Sequence, residues 1–408
     1  MADVSVLEVL LYGEPIGTLT RVGGDRTLFS FNDAYAANEQ RPTLGLGFKD
    51  ETGGLITEFR PVQSKVMPFF SNLLPEGPLR SYLAERAGVN EKREFFLLWV
   101  LGRDLPGAVA VRPSDGEAWP ADADDDADDM AEVKANALRF SLAGVQLKFS
   151  AVRDKKGGLT VPASGTGGAF IVKLPSSTYE GVPENEFSMM TLARMVGIDV
   201  PPIDLVDVAS IANLPDGIDK IGPKAFVIER FDRLPDGQLI HIEDFAQVFG
   251  VYPEDKYRSA NMRNIAKVLA AESDLDDVAE LVRRMTFNAL IGNGDMHLKN
   301  WSLIYPDRIN AALAPAYDFV STIPYIKNES AALNVSRSKG FDTFSIDELT
   351  HFAGKAALPE ALVLDTARET VARFREVWAK EKTNLPMAKA VTDAIDAHIP
   401  RVPIASGR

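Results

Sequence analysis

The chain has 408 residues, 46% of them hydrophobic, and a formal net charge of −14, enough apolar content for a sizeable core and for two or three domains. It contains no cysteine, which excludes disulfides, thiolate zinc sites and cysteine nucleophiles. The four histidines, at 241, 297, 351 and 398, have no ligand spacing, so a metal is expected on oxygen, and the acidic balance argues against a large nucleic-acid footprint.

The opening segment lacks the basic region of a secretory signal, and no apolar run approaches the ~20 residues that span a bilayer. A cytoplasmic chain with no membrane partner is expected. Residues 4 to 31 alternate apolar and polar positions and break at Gly13-Glu14 and Gly23-Gly24, which predicts a three-stranded antiparallel start. From Phe69 to Trp99 the pattern turns helical, with a stop expected at Gly88, and GRDLPGAVAVRP returns to a turn and a strand. The run ADADDDADDM at 121 to 130 has too little apolar content to bury and reads as a connector, the other reading being a docking or cation-binding segment. Beyond it, RFSLAGVQLKFSAV, GGAFIVKLP and AFVIERFD read as strands and PENEFSMMTLARMVGI as a helix starting near Pro183. The remainder is mostly helical. Leu275, Val278, Val282, Met285 and Ala289 share one face of a helix that stops at Gly292, and Leu364, Ala367, Val371, Phe374 and Trp378 repeat the periodicity. A strand-rich part followed by a helix-rich part is the order of a two-lobed nucleotide-binding enzyme.

Phosphoryl transfer needs a base for the acceptor hydroxyl, oxygen ligands for Mg²⁺, a cation on the phosphates and backbone donors over them. GNGDMHLKN at 292 to 300 places Asp295 and Asn300 five residues apart just past a helix, the separation of the catalytic aspartate and the metal-binding asparagine in kinases. In APAYDFVST, Asp318 follows a short strand where a second metal ligand belongs. His297 either touches phosphate or orients the loop. Lys173 is the one cation in the strand FIVKLP, costly to bury unless it meets an anion, the other reading being an edge lysine with a solvated head. Glu186 is its candidate partner and Glu184 the alternative. The backbone of Glu229 and Phe231 in VIERFD fits an adenine edge, or the segment is a plain buried strand. Neither G-x-G-x-x-G nor G-x-x-x-x-G-K-[ST] occurs. The candidate phosphate loop is SLAGVQLKF, where Ala143, Gly144 and Val145 would offer N–H groups, with a β-turn as the other reading.

Ser141-Leu-Ala-Gly-Val-Gln-Leu-Lys148, the Lys173 strand, Glu229-Arg-Phe-Asp-Arg233, GDMHLKN and Tyr317-Asp318 together resemble the HipA family of bacterial toxin kinases. FFSNLLPEGPLR, LGRDLPGAVAV and the opening strand pattern extend the resemblance from about residue 5 to about residue 400. It implies an α+β, two-lobed protein-kinase-like fold related to phosphatidylinositol kinases, with a β-rich N-terminal subdomain and an all-helical C-terminal lobe. It also implies a Mg-ATP-dependent serine/threonine kinase of a type II toxin-antitoxin system, acting on an aminoacyl-tRNA synthetase, typically the glutamyl enzyme, and promoting growth arrest and persistence. Carried over by residue, Asp295 is the base, Asn300 and Asp318 hold Mg²⁺, and Lys173 contacts ATP phosphate. Gln247, His297 and Tyr317 line the nucleotide site, and Ser141 is autophosphorylated, which would repel ATP phosphates and silence the enzyme. The implied partner is a HipB-type helix-turn-helix antitoxin that supplies the basic surface for DNA.

The expected division is an N-terminal subdomain at 1–120, an acidic linker at 121–134, a first kinase portion at 135–245 and a helical lobe at 246–408. A catalytically weak corepressor acting through a DNA-binding antitoxin is the reading from another class. Transfer to a small molecule is a third. The intact Asp295, Asn300 and Asp318 oppose the former, and the N-terminal segment and the Ser141 loop oppose the latter.

Overall fold

The computed structural model describes residues 4–86, 88–114, 148–153, 158–161, 168–214 and 220–407. Ser141, Ala143, Gly144 and Val145, and the acidic run at 121 to 130, lie outside the described residues.

The opening alternation becomes strands β1 (Val6–Leu11), β2 (Glu14–Val22) and β3 (Arg26–Phe31), paired antiparallel in sequence order. Leu7, Val9 and Leu11 of β1 face inward and are almost fully buried, as period-two patterning demands. After α1 (Asp33–Ala37), β4 (Val62–Gln63) and helices α2 (Pro68–Ser71), α3 (Gly77–Arg86) and α4 (Glu94–Leu101), strand β5 (Val109–Pro113) closes a five-stranded sheet in the order β4-β3-β2-β1-β5. Helix α4, EFFLLWVL, has no polar face past its first residue and is correspondingly buried. Phe29, Phe48, Phe69 and Phe70 fill the space between sheet and helices, Phe29 lying 4.9 Å from Phe70 and Phe48 5.1 Å from Phe69.

The second sheet takes β6 (Lys148–Arg153), β7 (Leu159–Thr160), β8 (Phe170–Lys173), β9 (Ile203–Asp207), β10 (Ile211–Ala212) and β11 (Lys224–Glu229) in the order β10-β7-β6-β8-β11-β9. Helix α5 (Val182–Val196) starts with a proline in its first turn and ends at Gly197, whose φ of 98° suits glycine. Its buried Met189, Leu192 and Val196 share a core with Phe226 and Ile228 of β11.

The rest is chiefly helical: α6 (Phe245–Val248), α7 (Met262–Glu272), α8 (Leu275–Ile291), α9 (Ile346–Ala356), α10 (Glu360–Glu381) and α11 (Lys389–His398). It is not all helical, however. Strands β12 (His241–Asp244), β13 (Ser302–Tyr305) and β14 (Ala312–Leu313) form an antiparallel sheet within it. The 245/246 division leaves β12 in one part and its antiparallel partner β13 in the other. The predicted α10 face is buried throughout. On α8, Val278, Val282, Met285 and Ala289 are buried, whereas Leu275 is 49% exposed. Leu275 is the first helical residue after the Asp274 N-cap, where the chain has only begun to turn toward the core.

The N-terminal unit lies directly on the third sheet. Thr43 N–H donates to Arg308 C=O at 2.8 Å, Leu46 N–H to Glu243 Oε1 at 2.8 Å, and His241 Nε2 contacts Leu44 O at 2.8 Å. A second joint is ionic: Asp232 accepts from Gly107 N–H and from Arg230 and Arg233, each at 2.8 Å, while Arg233 also reaches Asp104 at 3.0 Å. Arg230, Asp232 and Arg233 of ERFDR thus tie the end of β11 to the N-terminal unit.

Candidate active site

Helix α8 delivers the GNGDMHLKN loop. The helix stops because Gly292 takes φ +67°, and its N–H caps Asn288 C=O. Asn293 then braces the turn: its side-chain N–H groups reach Asn288 Oδ1 at 2.8 Å and Asp318 C=O at 3.4 Å, and its Oδ1 accepts Asp295 N–H at 3.0 Å. Asp295 C=O accepts from His297 N–H at 2.8 Å and from Asn300 Nδ2 at 2.8 Å. Asn300 is oriented by that bond, which uses its nitrogen and leaves its side-chain carbonyl oxygen for another partner.

Asp318 lies across from this loop, at φ +59°. A left-handed non-glycine residue is uncommon outside turns and functional sites. Residues just beyond it are anchored on both sides: Thr322 Oγ1 accepts Gly294 N–H at 2.8 Å, and Ser321 exchanges bonds with Asn185 of α5 at 2.9 and 3.1 Å.

Lys173 is 8% exposed, and its Nζ contacts both Glu186, at 2.5 Å, and Asp318. The strand cation therefore has two carboxylate partners, Glu186 buried and Asp318 half-buried, and the partner on α5 is Glu186, with Glu184 in the helix's first turn. Burial alone would lower the Lys173 pKa, but the carboxylates of Asp318 and Glu186 outweigh it and hold the ammonium above its usual range. Glu186 is pushed up to about 7, mainly by burial. Burial acts to raise Asp318 as well, yet Lys173 and Lys148 overcome it and bring it down to about 2. Lys148, the last residue of the Ser141–Lys148 motif, is the cross-strand partner of Lys173, so the antiparallel register brings two cations to the same side of the sheet.

His297 is buried, with its pKa lowered to about 4 chiefly by burial, so the imidazole is neutral. Its Nδ1 has no hydrogen-bond partner among the described residues, an unmet need that suits a ligand group. Tyr317 packs 6.0 Å from Phe231, and its hydroxyl bonds Lys299 C=O at 3.0 Å and Ser302 Oγ at 2.5 Å. Glu229 N–H donates to Pro202 C=O at 2.9 Å, which narrows any adenine contact to its carbonyl. Gln247 departs from expectation. Its Oε1 accepts Asp244 N–H at 2.9 Å in a capping box, and its Nε2 donates to Phe69 C=O at 3.1 Å, so both polar ends serve the cap and the N-terminal unit rather than the Lys173 cluster.

The arrangement offers hard oxygen from Asn300 and Asp318. Among the described residues no group of three or more His, Cys, Asp or Glu could hold a metal. Mg²⁺ is commonly held by one or two protein oxygens with phosphates and water completing the shell, and this donor pair fits that use. Two residues of the site had no signal in the motif spacing: Tyr257, whose hydroxyl donates to Asp295 Oδ1 at 2.6 Å, and Glu76, which binds Lys256 at 2.7 Å and Lys299 at 2.8 Å. Both come from distant segments, and folding alone brings them to the loop.

Residues 7–112 match the HipA N-terminal domain and residues 140–378 the HipA-like C-terminal domain. The protein named "Putative kinase Y4dM" of Sinorhizobium fredii is 62% identical over 405 residues, covering 98% of both chains. The serine/threonine-protein kinase toxin HipA of Shewanella oneidensis is 28% identical over 79% of this chain and 78% of its own. Among solved structures, the Shewanella oneidensis complex of HipA, HipB and operator DNA matches with a TM-score of 0.74 at 22% identity, covering 98% of this chain and 96% of that one. The chain therefore belongs to the HipA family and has its α+β, two-lobed kinase-like fold.

Proposed function

We propose that the chain is a Mg-ATP-dependent serine/threonine protein kinase, the toxin of a HipBA-type toxin-antitoxin pair. The observation that carries this reading is the convergence of Lys173, Glu186 and Asp318 in one largely buried cluster, with Asp318 at its half-open edge, joined through Asn293 to the loop that holds Asp295 and Asn300. In this reading Asp295 receives the acceptor hydroxyl proton as the oxygen attacks the γ-phosphorus and ADP leaves. Asn300 and Asp318 hold Mg²⁺, which when bound neutralises charge on the phosphates. Lys173 pairs with phosphate, and the neutral His297 presents its unpartnered Nδ1 to the same region. Phe231 and Tyr317 flank the adenine ring, and the backbone of Ala143, Gly144 and Val145 covers the phosphates.

The acceptor in this reading is a serine of an aminoacyl-tRNA synthetase, the glutamyl enzyme first. Its modification would arrest translation and growth and favour persistence in the cytoplasm. Ser141 would take phosphate from the chain's own ATP and close the site to nucleotide. Family membership supports each of these, as it does a helix-turn-helix antitoxin that carries the contact with DNA. The relative in the Shewanella complex is seen with HipB and operator DNA.

Incubation with γ-labelled ATP, Mg²⁺ and a panel of aminoacyl-tRNA synthetases tests the reading. Label is expected on the glutamyl enzyme and on the chain itself. Asp295→Gln should bind nucleotide normally and transfer none. Absence of label on every protein overturns the proposal.

A further inference from the structure

A general base works only if one carboxylate oxygen is aimed at the acceptor, since small misplacements of reacting groups cost large factors in rate. The backbone around Asp295 is well braced, but those bonds end on its N–H and C=O and leave rotation of the carboxylate itself unspecified. That carboxylate accepts a 2.6 Å bond from Tyr257 Oη on Oδ1. Tyr257 is 44% exposed, and partial desolvation together with the Asp295 carboxylate raises its phenol pKa above the usual value, so the tyrosine is a proton donor at physiological pH.

Tyr257 is held in turn. Its ring meets His297 edge-on, with centroids 4.9 Å apart at 89°. The neighbouring Lys256 C=O accepts Leu298 N–H at 3.3 Å, which fastens the tyrosine's segment to the catalytic loop. The Lys256 ammonium reaches Glu76 at 2.7 Å, and the same carboxylate takes Lys299 of the catalytic loop at 2.8 Å. Lys299 also donates to Asn72 C=O at 3.0 Å. Glu76 and Asn72 belong to the N-terminal unit, so one acidic side chain from that unit gathers both segments that determine how Tyr257 meets Asp295.

We propose that Tyr257 is the positioning residue of the base Asp295, engaging Oδ1 so that Oδ2 is presented to the acceptor, and that the N-terminal unit sets this geometry through Glu76. The inference rests on the reading of Asp295 as base. It gives the N-terminal unit a part in the transfer step itself.

The test uses the full chain with γ-labelled ATP and Mg²⁺, measuring single-turnover transfer to dephosphorylated casein and to water, with nucleotide affinity measured in parallel. Tyr257→Phe keeps the ring on His297 and removes one hydroxyl. It should slow transfer on the order of tenfold, as expected for a misaimed base, with nucleotide affinity unchanged. In an Asp295→Asn background the same change should have no further effect, because there is no base left to aim. Glu76→Gln should give a smaller loss of the same kind, again absent in that background; if it leaves transfer unaltered, the assignment to Glu76 fails. An equal loss from Tyr257→Phe in both backgrounds marks a purely structural tyrosine and overturns the proposal, as does a wild-type rate in Tyr257→Phe, a parallel fall in nucleotide affinity, or label recovered on Tyr257 itself, which would make it an acceptor. If Asp295→Asn transfers as well as wild type, or the wild-type chain transfers to nothing, the base reading falls first and this one with it.

Discussion

At the scale of single residues, the centre of the molecule is a charge-matching problem. One buried lysine ammonium faces a buried carboxylate, Glu186, and a half-buried one, Asp318, with Lys148 across the strand as the second cation. Removing a partner from such a cluster leaves a buried charge unpaired, which is far more costly than the net worth of the pair. Lys173→Met keeps the length and apolar stem of the side chain and is expected to lower stability by about 3 kcal/mol at neutral pH, read by urea unfolding. Nucleotide binding should be lost with it. A variant as stable as wild type would mean that solvent, rather than Lys173, balances Asp318. The lysine was legible in the sequence because a lone cation in FIVKLP demands an anion. Its two partners were less so: Glu186 and Glu184 are both acidic and two residues apart, and only the pitch of α5 decides which one faces the strand.

At the scale of elements, the GNGDMHLKN loop takes its shape from the way α8 ends. A Cβ at Gly292 would stand 2.6 Å from Ile323 Cδ1 at a φ of +67°, so side-chain contact and backbone both oppose any other residue. Gly292→Ala should cost roughly 1–2 kcal/mol from the left-handed backbone alone, seen as a lower thermal midpoint. Phosphotransfer should fall more than stability because the loop that follows is displaced. An unchanged midpoint would show that the helix end relaxes freely. The helix and its stop could be read from apolar spacing and one glycine. What spacing could not show was where side chains close over the loop from elsewhere in the chain. Gln247 matched a nucleotide-lining position, yet a capping box with Asp244 claims its amide. Tyr257 sits in an irregular stretch with no periodicity to place it. The three-stranded sheet inside the helical lobe was missed for a related reason: β12, β13 and β14 are only four, four and two residues long, too short for alternation to declare itself.

At the scale of the whole molecule, the N-terminal unit and the helical lobe meet across His241, which is fully buried. Its Nε2 serves Leu44 C=O, and its Nδ1 faces Ala108 N–H at 3.4 Å, so the ring is a neutral bridge whose pKa burial lowers to about 4. In the unfolded chain the same group titrates near 6.5. Between those values the unfolded state binds the extra proton, so the stability this residue contributes is complete above about 6.5 and is lost as pH falls toward about 4. The change is on the order of 3 kcal/mol. Thermal midpoints recorded across that window should decline, and His241→Gln, which keeps one donor and one acceptor, should flatten part of the decline. Equal slopes for the two proteins would place the acid sensitivity elsewhere.

Asn185 and Glu186 are neighbours on α5, and they face different parts of the molecule. Glu186 grips the cation of the strand sheet, while Asn185 holds Ser321 beyond Asp318 through two reciprocal bonds. An outward swing of this helix, the movement by which a two-lobed enzyme can idle, would have to break an ion pair and an amide clasp in the same stroke. The helix behaves as a bolt thrown from two sides, fastened at once to the strand sheet and to the segment beyond Asp318.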